Sequence, residues 1–493
     1  MPSSQVWPDQ VRRLRPRRAL ALLALALVSG LLGGDAVINA IAAPRAAEYF
    51  GMNSGTAVPA TCTGAMTLVA CVLGTGLLGD RFGRRRVLLG GVIVVAIGAV
   101  LTTYASGPLV FVLGRALTGA GLAASFGMTL AILPALFAAA DLPRVFGVWL
   151  GVQSVAVMAA SVIGIGLIDG TTWRTGYLTV GLLAVLFLVP AWLAVPDSKA
   201  AEPGAVGVLD LLPAAAAAAG LVGALSVVAD RGWTDLWALA AMVGALGVVA
   251  LVVRRELRNP RPGSPLRLFA SRPFRAACLT GVLAGCAAAM VAVRALGAIQ
   301  HERGLSASLA AVVVIPFYLG MVLGAVLAVT ARERGVPVRP MYVSGLLCVG
   351  AGVVVLARMG VDTELSRYSL IFAVVGFGVM WVQNTQSAEL MSAVPADSAG
   401  TAAAAKTIAG QLGLTLGLGL GLSAPVPAGG AGAAHPFTVG LGVTAALMFA
   451  GAAAVLVLLW QRTRAPRGTA ESIDTARLLG RISGWRAVGA SDM

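Results

Sequence analysis

The sequence predicts an all-α polytopic membrane protein with fourteen transmembrane helices, and three observations carry that reading. The 493 residues are 58% hydrophobic and only 12% charged, with a mean hydropathy of +0.88. Uniformly apolar windows of about twenty residues, the length that crosses a ~30 Å hydrocarbon layer as helix, recur along the chain. Short polar breaks separate them, whereas a membrane barrel would show strands of about ten residues alternating apolar and polar. A soluble chain of this length would need far more charge to cover its surface. A single signal peptide does not account for apolar windows reaching Trp460.

The elements follow in order. After an arginine-rich tail (1–18), helix 1 is placed at 19–42 and helix 2 at 57–78. Helix 3 (87–105) begins beyond "GDRFGRRR", which packs one acid and four arginines into eight residues. Helices 4 (108–134), 5 (145–168) and 6 (174–195) complete a first group of six over 19–195. A linker, 196–270, carries helices 7 (208–228) and 8 (233–253). The second group, 271–461, opens with "SPLRLFASRPF" leading into helix 9 (276–298). Helix 10 (308–329) is reached through "QHERGLSASLAAVVVIP", from Gln300 to Pro316. Helices 11 (340–357), 12 (368–388), 13 (399–422, after "VPADSAG") and 14 (437–460) follow, and a second tail covers 462–493.

Charge gives the expected orientation. Of the 36 Lys and Arg residues, 27 lie in the tails and even-to-odd loops and six in the other loops (Arg45, Arg174, Arg231, Arg303, Arg358, Arg367). Cytoplasmic loops carry the basic excess, so both termini are expected in the cytoplasm of a multi-pass cell-membrane protein. The net charge of +15 is scattered between apolar segments, which suits a bilayer surface and not nucleic acid. Five cysteines without CxxC spacing read as packing residues. The two histidines, His301 and His435, both fall in outer loops, leaving no His-rich metal site and no nucleophile with its base. Neither a metal, a cofactor nor an enzyme activity is expected, and a monomer suffices.

Ionisable residues inside the apolar windows are the candidate chemistry. Each costs about 2.5–3.5 kcal/mol at a helix centre, so each needs a partner, a wet cavity or a route to the surface. Asp35 lies about seven residues from the outer end of helix 1 and Arg115 about seven from the outer start of helix 4. At 1.5 Å per residue both sit roughly 10 Å deep, which permits a charge pair. Lys406 lies about eight residues into helix 13, where it faces a cavity or snorkels inward. Arg294, near the end of helix 9, has a short route outward. Trp381, Gln383, Asn384 and Gln386 form a polar and aromatic patch near the inner end of helix 12, read as interfacial first and cavity-lining second. Gly413, Gly417 and Gly421 recur every four residues and mark one face of helix 13 for close helix approach.

Several segments resemble the major facilitator superfamily. Gly76-Leu-Leu-Gly-Asp80-Arg81-Phe-Gly83-Arg84-Arg85-Arg86 is similar to its G-x-L-[AG]-D-[RK]-x-G-R-[RK] loop between helices 2 and 3. Asp35 and Pro44 keep the spacing of D-x-T-I-V-N-V-A-L-P in the fourteen-helix drug:proton antiporter branch, with Val37 in place of Thr and Asn39 displaced by one. "GRALTGAG" at Arg115, the approach to helix 9, the Gln300 segment and "GQLGLTLG" in helix 13 resemble the same branch. The helix 5 signature G-P-x-x-G-G does not: aligned by Trp173-Arg174, it becomes Ser161-Val-Ile-Gly164-Ile-Gly166.

The resemblance implies two six-helix bundles around a midplane cavity, with helices 7 and 8 as an extra pair. It also implies a latch formed by Gly76, Asp80, Arg81, Gly83, Arg84 and Arg85, in which Asp80 meets the N-terminus of helix 13 near Asp397 and Ser398. Asp35, with Arg115, becomes the proton-linked acid, and Lys406, Trp381, Gln383, Asn384, Arg294 and Gln300 are possible cavity residues. The implied function is proton-coupled efflux of an amphipathic or cationic small molecule, a drug or secondary metabolite, by alternating access. The altered helix 5 leaves an uptake or exchange permease standing beside it. A non-transporting receptor would be expected to carry a soluble effector domain, and the longest segment outside the helices is a tail of about 33 residues.

Overall fold

In the computed structural model the described residues are 7–52, 54–138, 141–198, 212–232, 234–258, 268–269, 271–295, 304, 306–359, 363–392, 399–422 and 436–460. They form fourteen α-helices: α1 (Trp7–Tyr49), α2 (Ser54–Phe82), α3 (Arg84–Thr103), α4 (Pro108–Leu136), α5 (Leu142–Gly170), α6 (Trp173–Ala194), α7 (Leu212–Arg231), α8 (Leu236–Arg258), α9 (Arg272–Ala295), α10 (Ala307–Glu333), α11 (Val338–Ala357), α12 (Leu365–Ser392), α13 (Ala399–Leu422) and α14 (Pro436–Trp460). Among the described residues twelve of these are long and apolar enough to cross a membrane, and α7 adds a shorter apolar stretch, Leu212–Val228.

Local chemistry sets several helix starts. Pro108 occupies the first turn of α4, where its missing N–H is no loss. Ser306 caps α10 by accepting from the Leu309 N–H at 3.2 Å, and Asp235 accepts from the Ala238 N–H at 2.9 Å at the start of α8. Helix α1 is longer than expected: Pro44 lies within it and the helix continues to Tyr49.

The first bundle packs α1 against α5 and α6, α2 against α4, and α3 against α4 and α6. The second pairs α9 with α13, α10 with α12, and α11 with α12 and α14. The bundles meet through α5 with α10 and α12, and through α13 with α2 and α4. Helix α7 packs on α2 and α13, closing one side of that seam, and α8 rests on α7. Leu239, Val243, Leu246 and Leu251 of α8, and Leu182, Val185, Leu186, Val189 and Leu193 of α6, are exposed. An apolar belt of this extent fits hydrocarbon and not water.

Glycines bring the backbones together where the sequence placed them. A Cβ at Gly413 or Gly417 would run into the carbonyl oxygens of Val282 or Cys286 on α9. Helix α5 meets α1 through small residues on α1: a Cβ at Gly30, Gly33 or Gly34 would lie 2.6, 2.6 or 2.8 Å from Ala156, Val157 or Ala160. Small residues on α1 thus let α5 approach closely.

Candidate functional site: a buried ion pair in the first bundle

Asp35 and Arg115 face each other between α1 and α4. Arg115 Nη1 donates to Asp35 Oδ1 at 2.7 Å and Nη2 to Oδ2 at 2.8 Å, a bidentate geometry that uses both carboxylate oxygens. The residues are 5% and 2% exposed. Gly64 makes room for the guanidinium, since a Cβ there would stand 2.8 Å from Arg115 Nη2. The guanidinium also sits 5.1 Å over the Tyr177 ring. The Tyr177 hydroxyl donates to Asn39 Oδ1 at 2.9 Å, and Asn39 Nδ2 donates to the Thr61 carbonyl at 3.1 Å. Arg115 Nε is buried without an acceptor among the described residues.

One turn from Arg115, Phe111 belongs to a chain of ring contacts with Phe50, Trp173 and Tyr177. These rings cover the pair on the side of the α1–α2 end. On its other side, a narrow space lined by Gly30, Gly34, Asp35, Ala156, Ala160 and Phe187 adjoins Asp35. Ala156, Ala160, Leu183 and Phe187 also line a wider, mostly apolar cleft of about 890 Å³ between α1, α5, α6 and α10, with Arg144 and Glu333 at one end.

The arginine-rich motif, expected as a loop between helices 2 and 3, is almost wholly helical. Asp80, Arg81 and Phe82 are the last turn of α2, and Arg84 already begins α3. The break is Gly83 alone, at φ 105°, a conformation that favours glycine. Arg84 is 4% exposed, donates to Asp80 Oδ1 from Nε at 3.0 Å and Nη2 at 2.9 Å, and reaches the Ala131 carbonyl at 2.9 Å. This ties α2, α3 and the end of α4 together. Arg85 bonds the Trp192 carbonyl at 2.6 Å, Arg81 is exposed, and Gly76 lies one turn before Asp80. Asp397 and Ser398, the expected receivers of Asp80, lie outside the described residues.

The patch on α12 is not interfacial. Asn384 and Gln386 are 1% and 2% exposed, and they donate to the carbonyls of Ala325 on α10 at 3.3 Å and Ala277 on α9 at 2.9 Å. Trp381 donates to the Met341 carbonyl at 2.9 Å, and Gln383 is half-buried. Their N–H groups cross-link helices, while Asn384 Oδ1 is buried without a donor among the described residues. Lys406 does not snorkel: it is 6% exposed and its Nζ stands 5.8 Å from the ring centroids of both Phe126 on α4 and Trp149 on α5. The Arg294 side chain and Gln300 lie outside the described residues.

One cluster escaped the sequence reading. At the α1–α2 end, Asp169 of α5 accepts from the Ser308 N–H at 2.7 Å and hydroxyl at 2.8 Å, and from Arg45 at 3.0 Å. It joins the first bundle to the N-terminus of α10. The only sequence signal was an acid closing helix 5 opposite the "SAS" that opens helix 10.

The profile of the Major Facilitator Superfamily matches residues 23–418. The chain belongs to this superfamily. Its relatives include the multidrug efflux pump LfrA of Mycolicibacterium smegmatis, 28% identical over 406 residues that cover 82% of this chain and 80% of the pump. The tetracenomycin C resistance and export protein of Streptomyces glaucescens is 27% identical over 408 residues, 82% of this chain and 75% of that one. Among solved structures, the proton:xylose symporter XylE superimposes with a TM-score of 0.60 at 15% identity, covering 91% of this chain and 96% of the symporter, a likeness of fold. The chain is a multi-pass membrane transporter, not an enzyme, and it is homologous to drug efflux pumps of the fourteen-helix branch.

Proposed function

We propose that this transporter exports an amphipathic small molecule, a drug or secondary metabolite, in exchange for protons by alternating access. The observation that carries the reading is the buried Asp35–Arg115 pair, two charges held in the first bundle where each alone would be costly. The carboxylate is the member of the pair that a proton neutralises, and parting the pair exposes it. A rocking of the bundles that alters α1 against α4 therefore couples protonation to conformation. Export is supported by relatives that bear efflux and export in their names. Uptake or exchange remains the second reading, favoured by the missing helix 5 signature, and the fold accommodates it. The 27-to-6 basic bias supports both termini in the cytoplasm.

The test is accumulation of a panel of amphipathic dyes in proteoliposomes under pH gradients of either sign. Asp35→Asn keeps shape but cannot titrate, so it is expected to lose proton-driven accumulation while retaining dye binding. If Asp35→Asn accumulates dye against its gradient as well as wild type, Asp35 is structural and the coupling acid lies elsewhere.

A further inference from the structure

Lys406 is the charge that the ion-pair reading leaves unused. It projects from α13 of the second bundle to Phe126 and Trp149 of the first, so its contact lies across the seam that alternating access must rearrange. Among the described residues its ammonium has no hydrogen bond and no carboxylate partner. The two rings stand 5.8 Å apart at 44°, which gives the cation some compensation through their π faces. They accept no conventional hydrogen bond, and an ammonium has three to give.

A second, independent donor lies in the same place. Trp149 is fully buried, and its Nε1–H belongs to one of the rings beneath Lys406 yet has no acceptor among the described residues. Buried donors are ordinarily satisfied, so the indole N–H without an acceptor, beside an ammonium held only over ring faces, leaves hydrogen-bonding capacity for an acceptor. The surroundings are apolar: Ala402, Ala403, Phe146 and Leu150 are all buried around this level. Apolar surroundings beside an ammonium disfavour a second cation and favour an oxyanion carried on a flat hydrophobic body.

From these observations we propose that Lys406 and Trp149 form an anion-recognition site, and that the transported molecule is an amphipathic aromatic acid whose carboxylate or phenolate lies against the Lys406 ammonium. This rests on the transport reading for its consequence, and of the amphipathic or cationic molecule expected from the sequence it keeps the amphipathic character and replaces the cation with an anion. The acid satisfies both donors, and its ring system lies against Phe126 and Trp149.

The experiment measures binding, which requires no proton coupling. Wild-type protein in nanodiscs is titrated with three probes sharing one ring system: pyrenebutyrate, its methyl ester and a pyrenebutyl-trimethylammonium salt. Tryptophan-to-pyrene energy transfer is read against empty nanodiscs. Wild type is expected to bind pyrenebutyrate saturably and about tenfold tighter than either analogue. Lys406→Met, of similar length and uncharged, should abolish that preference while still binding the ester, and Lys406→Arg should preserve it. Trp149→Phe should reduce it a fewfold. Asp35→Asn should keep it, which separates failure of this site from failure of proton coupling. Equal affinities, a preference for the cation, no saturable binding of the acid, or an unchanged preference in a monodisperse Lys406→Met protein would each overturn the assignment.

Discussion

Asp35 and Arg115 stabilise the first bundle only as a pair. Both are almost fully buried, and the guanidinium makes two hydrogen bonds to the carboxylate and lies over the Tyr177 face, in space left by Gly64. Removing one partner strands a charge, at about 3–5 kcal/mol, whereas removing both leaves only a packing defect. Arg115→Ala is therefore expected to lower the melting temperature in detergent more than the double variant Asp35→Asn with Arg115→Ala. Equal melting temperatures would mean that water already solvates the carboxylate. The pair was legible in the sequence because opposite signs at one depth are rare in an apolar chain. The orientation of Lys406 was not, because a helix apolar all round has no moment to fix which way any one side chain points.

At the scale of the helix, what could be read was spacing, and what could not was burial of polar groups. Gly413 and Gly417 meet α9 as their four-residue repeat implied, and Gly83 stands at the positive φ that the loop motif requires. The α12 patch misled because hydropathy scores an amide that bonds a neighbouring helix the same as one facing headgroups. The close approach of α1 and α5 could not be read from helix 5, since the glycines that permit it, Gly30, Gly33 and Gly34, stand on α1. The latch prediction belongs here. Asp80 holds Arg84, which holds the end of α4, so Asp80→Asn weakens the tie among three helices at once. In a background lacking native cysteines, Ala403→Cys, buried at that end, should react faster with a thiol reagent when Asp80→Asn is added. Unchanged reactivity with full transport would reduce the motif to packing within the first bundle.

Across the whole molecule the bundles touch at both ends, and one end must open for substrate to pass. At the arginine-rich end they share a core in which Phe146 and Trp149 join Met391 and Ala403. At the other end the connection is polar: Asp169 sits on the N-terminus of α10, where the helix dipole and the Ser308 N–H favour its charge. The two closures differ in kind, so they should respond to different changes. Asp169→Ala removes three acceptor contacts without touching the ion pair or Lys406, and a loss of about 1–2 kcal/mol shifts a two-state equilibrium roughly ten-fold. The expected result is faster labelling of Ala310→Cys, now 3% exposed in the first turns of α10, by a membrane-impermeant maleimide. Asp80→Asn should not accelerate labelling at position 310, and combining it with Asp169→Ala should pull the rate back toward wild type, because the two variants favour opposite openings. Arg45 is 43% exposed, and exposed pairs often contribute little, so the competing outcome is definite. If Asp169→Ala leaves both labelling and transport unchanged, the bridge is incidental and closure at this end rests on the apolar contacts of α5 with α10.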